Sequence, residues 1–293
     1  MAAATVPGMP LPPGVRERHL AAGGVEFRYL HGGPELDAAG RTPLLLLHGW
    51  PTWAEVWLPM AEHLAPDRPW IAIDLPCHGR TGLLPPRERS LTGYRRAVAA
   101  FVDTLGAPRV SVAGCSIGGT LSVMVALDRP ARVASIVAID AAGFAPKLPG
   151  RTVRMYLPFF LGASLRAPGA GSMAKLLRRA VFHDAAFATP EWAGAMAAQW
   201  AAKDRRKALL ATGGALRKPD ASVAGVLGEV GCPALVLWGE GDPQFDWRIG
   251  EAGSRRMRDS RFVPVPAAGH FPMVERPSEV GRAIEEFLAA RSA

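Results

Sequence analysis

The chain alternates between short strand-like segments and longer segments in which apolar residues recur at helical spacing. The first two strand-like segments flank Gly23 and Gly24 and predict a β-hairpin. The six that follow are short apolar runs, typical of strands buried on both faces. The eight predicted strands cover residues 16–22, 25–30, 43–47, 70–73, 110–113, 133–140, 234–238 and 261–265.

Helices are predicted between these strands. The clearest cover residues 91–105, 120–127 and 278–290, and another starts at Thr52 or Ala54 and runs to about residue 64. Strand–helix alternation after an initial hairpin predicts an α/β protein with a mostly parallel, twisted, eight-stranded sheet and helices on both faces. In such sheets the functional residues gather at the carboxyl ends of the strands.

Residues 145–226 break the alternation. Strand patterns disappear, and Pro, Gly, Met and aromatic residues mix with basic helical segments such as residues 172–182. The sequence therefore predicts three parts: a loose N-terminal arm (1–15), a core (16–144 and 227–293), and a helical insertion over the sheet (145–226).

Composition and charge narrow the class of protein. The net charge is +8, but residues 145–218 alone hold 13 basic and 3 acidic residues, so the rest of the chain is slightly acidic. Solvated helix faces explain this charge more simply than nucleic-acid binding, because no zinc-finger, RNP or phosphate-loop pattern accompanies it. The absence of an export-signal pattern, of a membrane-length apolar run and of metal-like cysteine spacing predicts a cytoplasmic protein without a membrane segment.

The best candidate for chemistry is the pentapeptide Gly-Cys-Ser-Ile-Gly at residues 114–118. It follows a predicted strand and precedes a predicted helix, so it fits a G-x-S-x-G turn. In such a turn Ser116 stands at a strained apex, and the first helical N–H groups point towards any negative charge that forms there. The pentapeptide alone is a weak signal in a chain with 32 glycines.

Other segments strengthen that signal by their order. They are His-Gly-Trp-Pro at 48–51, Asp-Leu-Pro-Cys-His-Gly at 74–79, Trp-Gly-Glu-Gly-Asp at 238–242 and Gly-His-Phe-Pro at 269–272. Together with the Ser116 turn they resemble the α/β-hydrolase fold family over nearly the whole chain outside the insertion. The resemblance implies that the insertion is the family's helical cap. Epoxide hydrolases and haloalkane dehalogenases of the family carry Asp where this chain has Ser116, so the resemblance favours the serine esterases.

Three residues are predicted to form a catalytic triad. Ser116 needs a base to remove its proton during attack, and His270 is suited to that role. Asp242 would orient the imidazole and stabilise its charged form, and the order Ser, Asp, His is the one expected of this fold. Asp140, also at a strand end, is the alternative acid, and His48 is expected to brace a neighbouring loop.

The oxyanion and the substrate require further groups. The backbone N–H groups of Ile117 and Trp50 are the predicted oxyanion donors. Candidate pocket walls are Phe144, Met155, Tyr156, Phe159 and Phe271, although each residue type is more often found in a core than in a ligand site.

The predicted function is hydrolysis of a carboxylic ester, lactone or thioester of a small to medium apolar substrate through an acyl-enzyme on Ser116. No cofactor and no metal is expected. C–C bond hydrolysis, cofactor-free perhydrolysis and acyl transfer on the same scaffold remain alternatives, as does a non-catalytic binding module. The basic insertion raises the hypothesis of an anionic or carrier-linked substrate. The predicted partner is a small-molecule substrate, with no nucleic acid and no membrane, and the sequence does not indicate the oligomeric state.

Overall fold

The computed structural model describes residues 6–36, 40–147, 169–216 and 218–291. In these residues eight strands form one sheet in the order β1-β2-β4-β3-β5-β6-β7-β8. β1 pairs antiparallel with β2, β2 pairs antiparallel with β4, and every other pair is parallel. The strands are β1 (Arg16–Ala22), β2 (Val25–Gly32), β3 (Leu44–Leu47), β4 (Trp70–Ile73), β5 (Val110–Cys115), β6 (Val133–Ile139), β7 (Ala234–Gly239) and β8 (Ser260–Val265). The mostly parallel eight-stranded sheet with helices is confirmed.

The α-helices of the described residues follow the strands in the predicted alternation. They are α1 (Leu58–Ala61), α2 (Leu91–Thr104), α3 (Ile117–Asp128), α4 (Ala170–Ala180), α5 (Pro190–Gln199), α6 (Lys203–Ala215), α7 (Trp247–Ser254), α8 (Pro272–Glu275) and α9 (Pro277–Ala289). No helix in the described ranges is both long enough and apolar enough to cross a membrane.

The first predicted helix, which ran to about residue 64, is interrupted in the structure. Residues Ala54–Trp57 form a 3-10 turn, and α1 then covers four residues with Pro59 in its first turn. Proline has no N–H to donate and its ring clashes with the preceding turn, so one continuous α-helix cannot pass through this position. The apolar spacing predicted the buried face correctly but not the break.

The central strands supply the core. All four residues of β3 are fully buried, as are all six of β5, whereas the edge strand β1 is largely exposed. Continuous burial is what a parallel strand experiences when both faces of the sheet are covered. The carboxyl ends of β3, β5, β6, β7 and β8 therefore meet at one covered edge.

A buried arginine joins the amino-terminal strands to the loops beside them. Arg28 on β2 lies 2.7 Å from a Glu55 carboxylate oxygen, 2.8 Å from Glu17 and 3.3 Å from Asp74. Burial raises the pKa values of Glu55 and Asp74, while the charge of Arg28 opposes that rise. We call these four residues the arginine cluster.

Helices α4, α5 and α6 lie between β6 and β7, within the predicted insertion. Gln199 at the end of α5 donates to the carbonyl of Pro51 (2.8 Å) and accepts from the N–H of Gly79 (3.0 Å). The indole of Trp50 donates to the carbonyl of Leu209 on α6 (2.9 Å). These contacts attach the helices to loops at the carboxyl edge of the sheet. The boundaries 145 and 226 remain a prediction.

Candidate active site

Ser116 occupies the sharp turn between β5 and α3. Its φ of 56° lies in the left-handed region, which is uncommon for a residue with a side chain. A Cβ at Gly114 would collide with the carbonyl of Gly118, and one at Gly118 would collide with the carbonyl of Leu47. The two glycines of the motif are therefore required because backbone packs against backbone on both sides of Ser116.

The two predicted oxyanion donors are close to this turn. Ile117 is the first residue of α3, so its N–H belongs to the first turn, which lacks acceptors within the helix. The carbonyl of Gly49 accepts from Thr52 N (2.9 Å) and Thr52 Oγ1 (2.7 Å). The Gly49–Trp50 peptide is trans, so the Trp50 N–H points away from these donors. A Cβ added at Gly49 would lie 3.2 Å from Ser116 Cβ, so the loop packs directly on the nucleophile turn.

His48 holds this loop in place. Its Nε2 accepts a hydrogen bond from the N–H of Leu75 at 2.9 Å, so the ring proton is on Nδ1. Nδ1 lies 2.8 Å from the carbonyl oxygen of Gly49, to which it donates. Burial lowers the pKa of His48 to about 4, and the hydrogen bond to Gly49 opposes part of that shift. His48 is thus a neutral brace in the structure.

Asp242 and His270 form a buried hydrogen-bonded pair. Asp242 follows β7 and His270 follows β8, and Oδ2 of the acid lies 2.9 Å from Nδ1 of the imidazole. The other oxygen of Asp242 accepts from the N–H of Gln244 at 2.7 Å. The aspartate thus holds the imidazole by Nδ1, which leaves Nε2 as the atom able to accept a proton.

The loop that carries His270 is fastened to the insertion. The His270 N–H donates to the carbonyl of Val181 at 2.7 Å. Glu275 accepts from the N–H of Gly269 (2.6 Å) and from that of Asp184 (2.9 Å). Burial raises the pKa of Glu275, and these two N–H donors oppose the rise. The position of His270 therefore depends on residues just beyond α4 as well as on its own loop.

Close contacts bring the serine and histidine loops together. The thiol of Cys115, next to Ser116, donates to the carbonyl of His270 at 3.4 Å. Gly49 lies between the two loops, since its added Cβ would be 3.4 Å from the ring of Phe271 as well as close to Ser116. Ser116, His270 and Asp242 are thus placed at one edge of the sheet, where their positions after predicted strands had placed them.

Asp140, the alternative acid, is fully buried behind this pair. One atom from each of Asp140, Asp242 and His270 lies within 4.8 Å of the other two. Three such groups have the spacing of a metal site, but Nδ1 of His270 is already bonded to Asp242. Of the two candidate acids, Asp242 is the one hydrogen-bonded to the imidazole. The sequence marked Asp140 only as an alternative acid and gave no sign that both carboxyl groups would be neighbours.

Aromatic rings of the insertion pack against aromatic residues of the core beside His270. The ring centroid of Phe271 lies 6.1 Å from Phe182 and 6.3 Å from Trp192, and Trp192 lies 5.4 Å from Trp53. We call these four residues the aromatic cluster. Sequence reasoning selected only Phe271 among them, although tryptophans in a helical insertion and after the 48–51 motif were a visible signal.

The other predicted pocket residues are placed differently. Phe144 packs against Trp238, with centroids 6.2 Å apart, and against Gly253 of α7 rather than within the aromatic cluster. Its ring fills the space that a glycine leaves on α7, so it is a packing residue there. Met155, Tyr156 and Phe159 lie outside the described residues.

Five basic residues in the described part of the insertion differ in their exposure. Arg205 and Arg206 are half-buried and donate to the carbonyls of Thr81 (3.3 Å) and Trp200 (3.2 Å). Lys175, Arg178 and Arg179 on α4 are exposed. Part of the positive charge is therefore used in packing, and part faces the surroundings.

Comparisons with known proteins agree with this architecture. A family model described as the alpha/beta hydrolase fold matches residues 42–277. The chain is 31% identical over 264 residues to the dihydrolipoyllysine-residue acetyltransferase component of the acetoin cleaving system of Pseudomonas putida. That match covers 87% of this chain and 65% of the relative, so the chain spans just under two thirds of that relative's length.

Two further proteins match over most of their length. Monoacylglycerol lipase abhd6-B of Xenopus laevis is 22% identical over 291 residues, covering 94% of this chain and 83% of the lipase. The crystal structure of a membrane phospholipase A, described as a bacterial virulence factor, superposes with a TM-score of 0.79 and 25% identity. This superposition covers 95% of this chain and 87% of the phospholipase chain.

The chain belongs to the α/β-hydrolase fold family. It is an enzyme of the hydrolase class, related to esterases and lipases.

Proposed function

We propose that this enzyme is a serine hydrolase that cleaves a carboxylic ester, lactone or thioester through an acyl-enzyme on Ser116. The observation that carries the proposal is the buried Asp242–His270 hydrogen bond beside a serine in a strained strand–helix turn. An aspartate-bound histidine beside such a serine is the arrangement that acyl transfer requires.

The proposed reaction begins with attack of Ser116 Oγ on the substrate carbonyl carbon. The hydroxyl proton passes to Nε2 of His270, and Asp242 stabilises the imidazolium that forms. The N–H groups of Ile117 and Trp50 bind the carbonyl oxygen as it becomes negative. His270 then returns the proton to the leaving alcohol or thiol, and a water molecule releases the acid from Ser116 by the same steps.

The aromatic cluster favours an apolar acyl or alcohol group. Phe182 and Trp192 pack against Phe271, the residue after His270, and offer contact area without charge. The similarity to a monoacylglycerol lipase and to a phospholipase A supports an ester of this kind. We therefore place small to medium apolar esters first among the substrate classes.

Acyl transfer is the second candidate. It is favoured by the similarity to an acetyltransferase component, although less than two thirds of that relative is matched. Hydrolysis and transfer share the acyl-enzyme and differ only in whether water or another nucleophile attacks it. C–C bond hydrolysis, perhydrolysis and a binding role remain lower alternatives.

A substrate panel separates these functions. Purified enzyme is assayed with matched p-nitrophenyl esters, thioesters and lactones, with a diketone for C–C cleavage, and with acetate plus hydrogen peroxide. An initial burst of p-nitrophenol would report the acyl-enzyme, and added alcohols or thiols that accelerate release would indicate transfer. The Ser116→Ala variant is the control. Cleavage of the diketone with no ester, thioester or lactone turnover would contradict the proposal.

The exposed basic face of α4 extends the proposal to anionic or carrier-linked substrates. Lys175, Arg178 and Arg179 would raise the encounter rate of an anionic substrate in a salt-dependent way. The measurement is kcat/KM for neutral and anionic esters at low and high salt, with Arg178→Glu and Arg179→Glu as variants. Arg205 and Arg206 are unsuitable for this test because both donate to backbone carbonyls. Equal salt responses for both esters would show that the basic residues of α4 do not influence which substrate is hydrolysed.

A further inference from the structure

Asp140 is an unusual residue for the position it holds. It follows β6 with a φ of 45° and is fully buried, and its N–H continues the sheet by donating to the carbonyl of Leu237 at 3.1 Å. Oδ1 accepts from the N–H of Gly239 at 3.1 Å. Oδ2 is buried, and no donor of the described residues reaches it.

The surroundings of Asp140 give no compensation for a negative charge. The titratable groups that face it are Asp242 after β7, His270 after β8, Cys115 at the end of β5 and Glu275 in α8. Among the described residues, no Lys or Arg lies within ion-pair distance of Asp140. Carboxylate oxygens of Asp140 and Asp242 lie within 4.8 Å of each other. If both groups were ionised in this buried site, they would repel each other strongly.

Resting on the proposed function, we propose that Asp140 is a neutral carboxylic acid whose Oδ2–H donates to the Asp242 carboxylate, making Asp140 a positioning residue for the Asp242–His270 pair. Each carboxylate oxygen can accept two hydrogen bonds, so Asp242 can serve His270, Gln244 and Asp140 together. The proton stays on Asp140 throughout the reaction. The pair of carboxyl groups then carries a single negative charge, located on Asp242.

The electrostatic environment supports this assignment. Burial raises the pKa of Asp140 well above its usual range, and the neighbouring Asp242 raises it further. Burial raises the pKa of the Cys115 thiol, the charge of Asp242 raises it further, and this thiol donates to the carbonyl of His270. Neutral Asp140 and the neutral thiol of Cys115 thus hold Asp242 and the His270 loop without adding charge.

Asparagine at position 140 is a close test of this role. Asn tolerates a positive φ better than most residues, its Oδ1 can accept from Gly239, and its Nδ2 can donate to Asp242. If Asp140 is neutral, Asp140→Asn should keep kcat/KM within about threefold and leave the pH midpoint of kcat/KM unchanged. Asp140→Ala removes the donor and should lower kcat about 10- to 100-fold, the loss expected for a hydrogen bond to a charged group, with KM little changed.

The opposite result is equally specific. If Asp140 is ionised, Asp140→Asn removes a negative charge close to His270, and the pH midpoint should move to lower pH by about one unit or more. That shift would overturn the proposal, as would equal losses of rate in the Asn and Ala variants.

Infrared spectroscopy reads the protonation state without substrate. The wild-type protein at neutral pH should show the carbonyl stretch of a buried protonated carboxyl group, sensitive to D2O, and Asp140→Asn should lose it. Glu275→Gln is the matched control, since its carboxyl group is also buried. Absence of the Asp140 band would refute the inference. Because this measurement needs no turnover, it remains decisive if Ser116 proves not to be the nucleophile, which separates the two proposals.

Discussion

Two clusters of acidic residues in this enzyme, most of them buried, have opposite surroundings. In the arginine cluster, three carboxylates surround Arg28, whose charge is permanent. In the acid–histidine cluster of Asp140, Asp242 and His270, no Lys or Arg of the described residues pairs with either carboxyl group, and Asp242 is hydrogen-bonded to an imidazole that takes up a proton in the proposed reaction. A fixed cation locks its carboxylates into a structural role. A titratable partner leaves charge free to change during a reaction.

The largest effect should come from breaking the acid–histidine cluster at its centre. Asp242→Asn removes the acceptor that orients the imidazole through Nδ1, so kcat should fall about 10³- to 10⁴-fold. The measurement is steady-state hydrolysis of the best ester found in the panel. Circular dichroism and thermal unfolding should show a folded variant. A folded Asp242→Asn enzyme with nearly wild-type kcat would remove Asp242 from the mechanism.

The arginine cluster should respond in stability rather than in rate. Arg28→Met leaves Glu55 and Asp74 buried without their cation, which costs about 3–5 kcal/mol of unfolding free energy. Urea denaturation measures the loss. The kcat of the molecules that remain folded should change far less than it does in Asp242→Asn.

A matched variant of a surface ion pair serves as the control for Arg28→Met. Arg255 pairs with Glu251 on α7 and its side chain is 73% exposed, so Arg255→Met should have almost no effect on stability. Equal losses in Arg28→Met and Arg255→Met would show that the buried pairs stabilise no more than surface pairs do.

The smallest expected effect is a pH dependence of folding stability that comes from Asp140 in the acid–histidine cluster. The raised pKa of Asp140 means that the folded protein keeps a proton that the unfolded chain releases above about pH 4. Wild-type stability should therefore decline as pH rises from about 4 towards the folded pKa, and Asp140→Asn should lack that decline. Each pKa unit between the two states corresponds to about 1.4 kcal/mol.

Thermal unfolding at several pH values tests this directly. The Tm of Asp140→Asn minus that of wild type should become more positive between about pH 4 and pH 8. Since 1 kcal/mol shifts Tm by roughly 2–4 °C in a chain of this size, the change should be several degrees. A difference that stays constant over this range would mean that Asp140 titrates normally.

The sequence was sufficient for features that depend on local pattern. Apolar runs predicted the strands because a strand buried on both faces needs continuous apolar residues. Gly114 and Gly118 marked the Ser116 turn because no side chain fits there. Pro59 also lies within the first predicted helix, and its presence should have predicted a break before it.

Features that depend on distant contacts were not predicted. Trp53 and Trp192 are 139 positions apart in the sequence and meet only because the insertion folds back over the sheet. Phe144 was predicted as a candidate pocket wall, whereas its ring packs on Gly253. The burial of Asp140 beside Asp242 follows from the pairing of β6 with β7, which the order of the segments does not reveal.

The central claim is that Ser116 is the nucleophile activated by His270 and Asp242. The most direct test is covalent labelling of the intact enzyme with a fluorophosphonate, followed by peptide mass spectrometry. A single adduct on Ser116 is expected, absent from Ser116→Ala and formed much more slowly by Asp242→Asn. Unmodified Ser116, or labelling that persists in folded Ser116→Ala, would contradict the account.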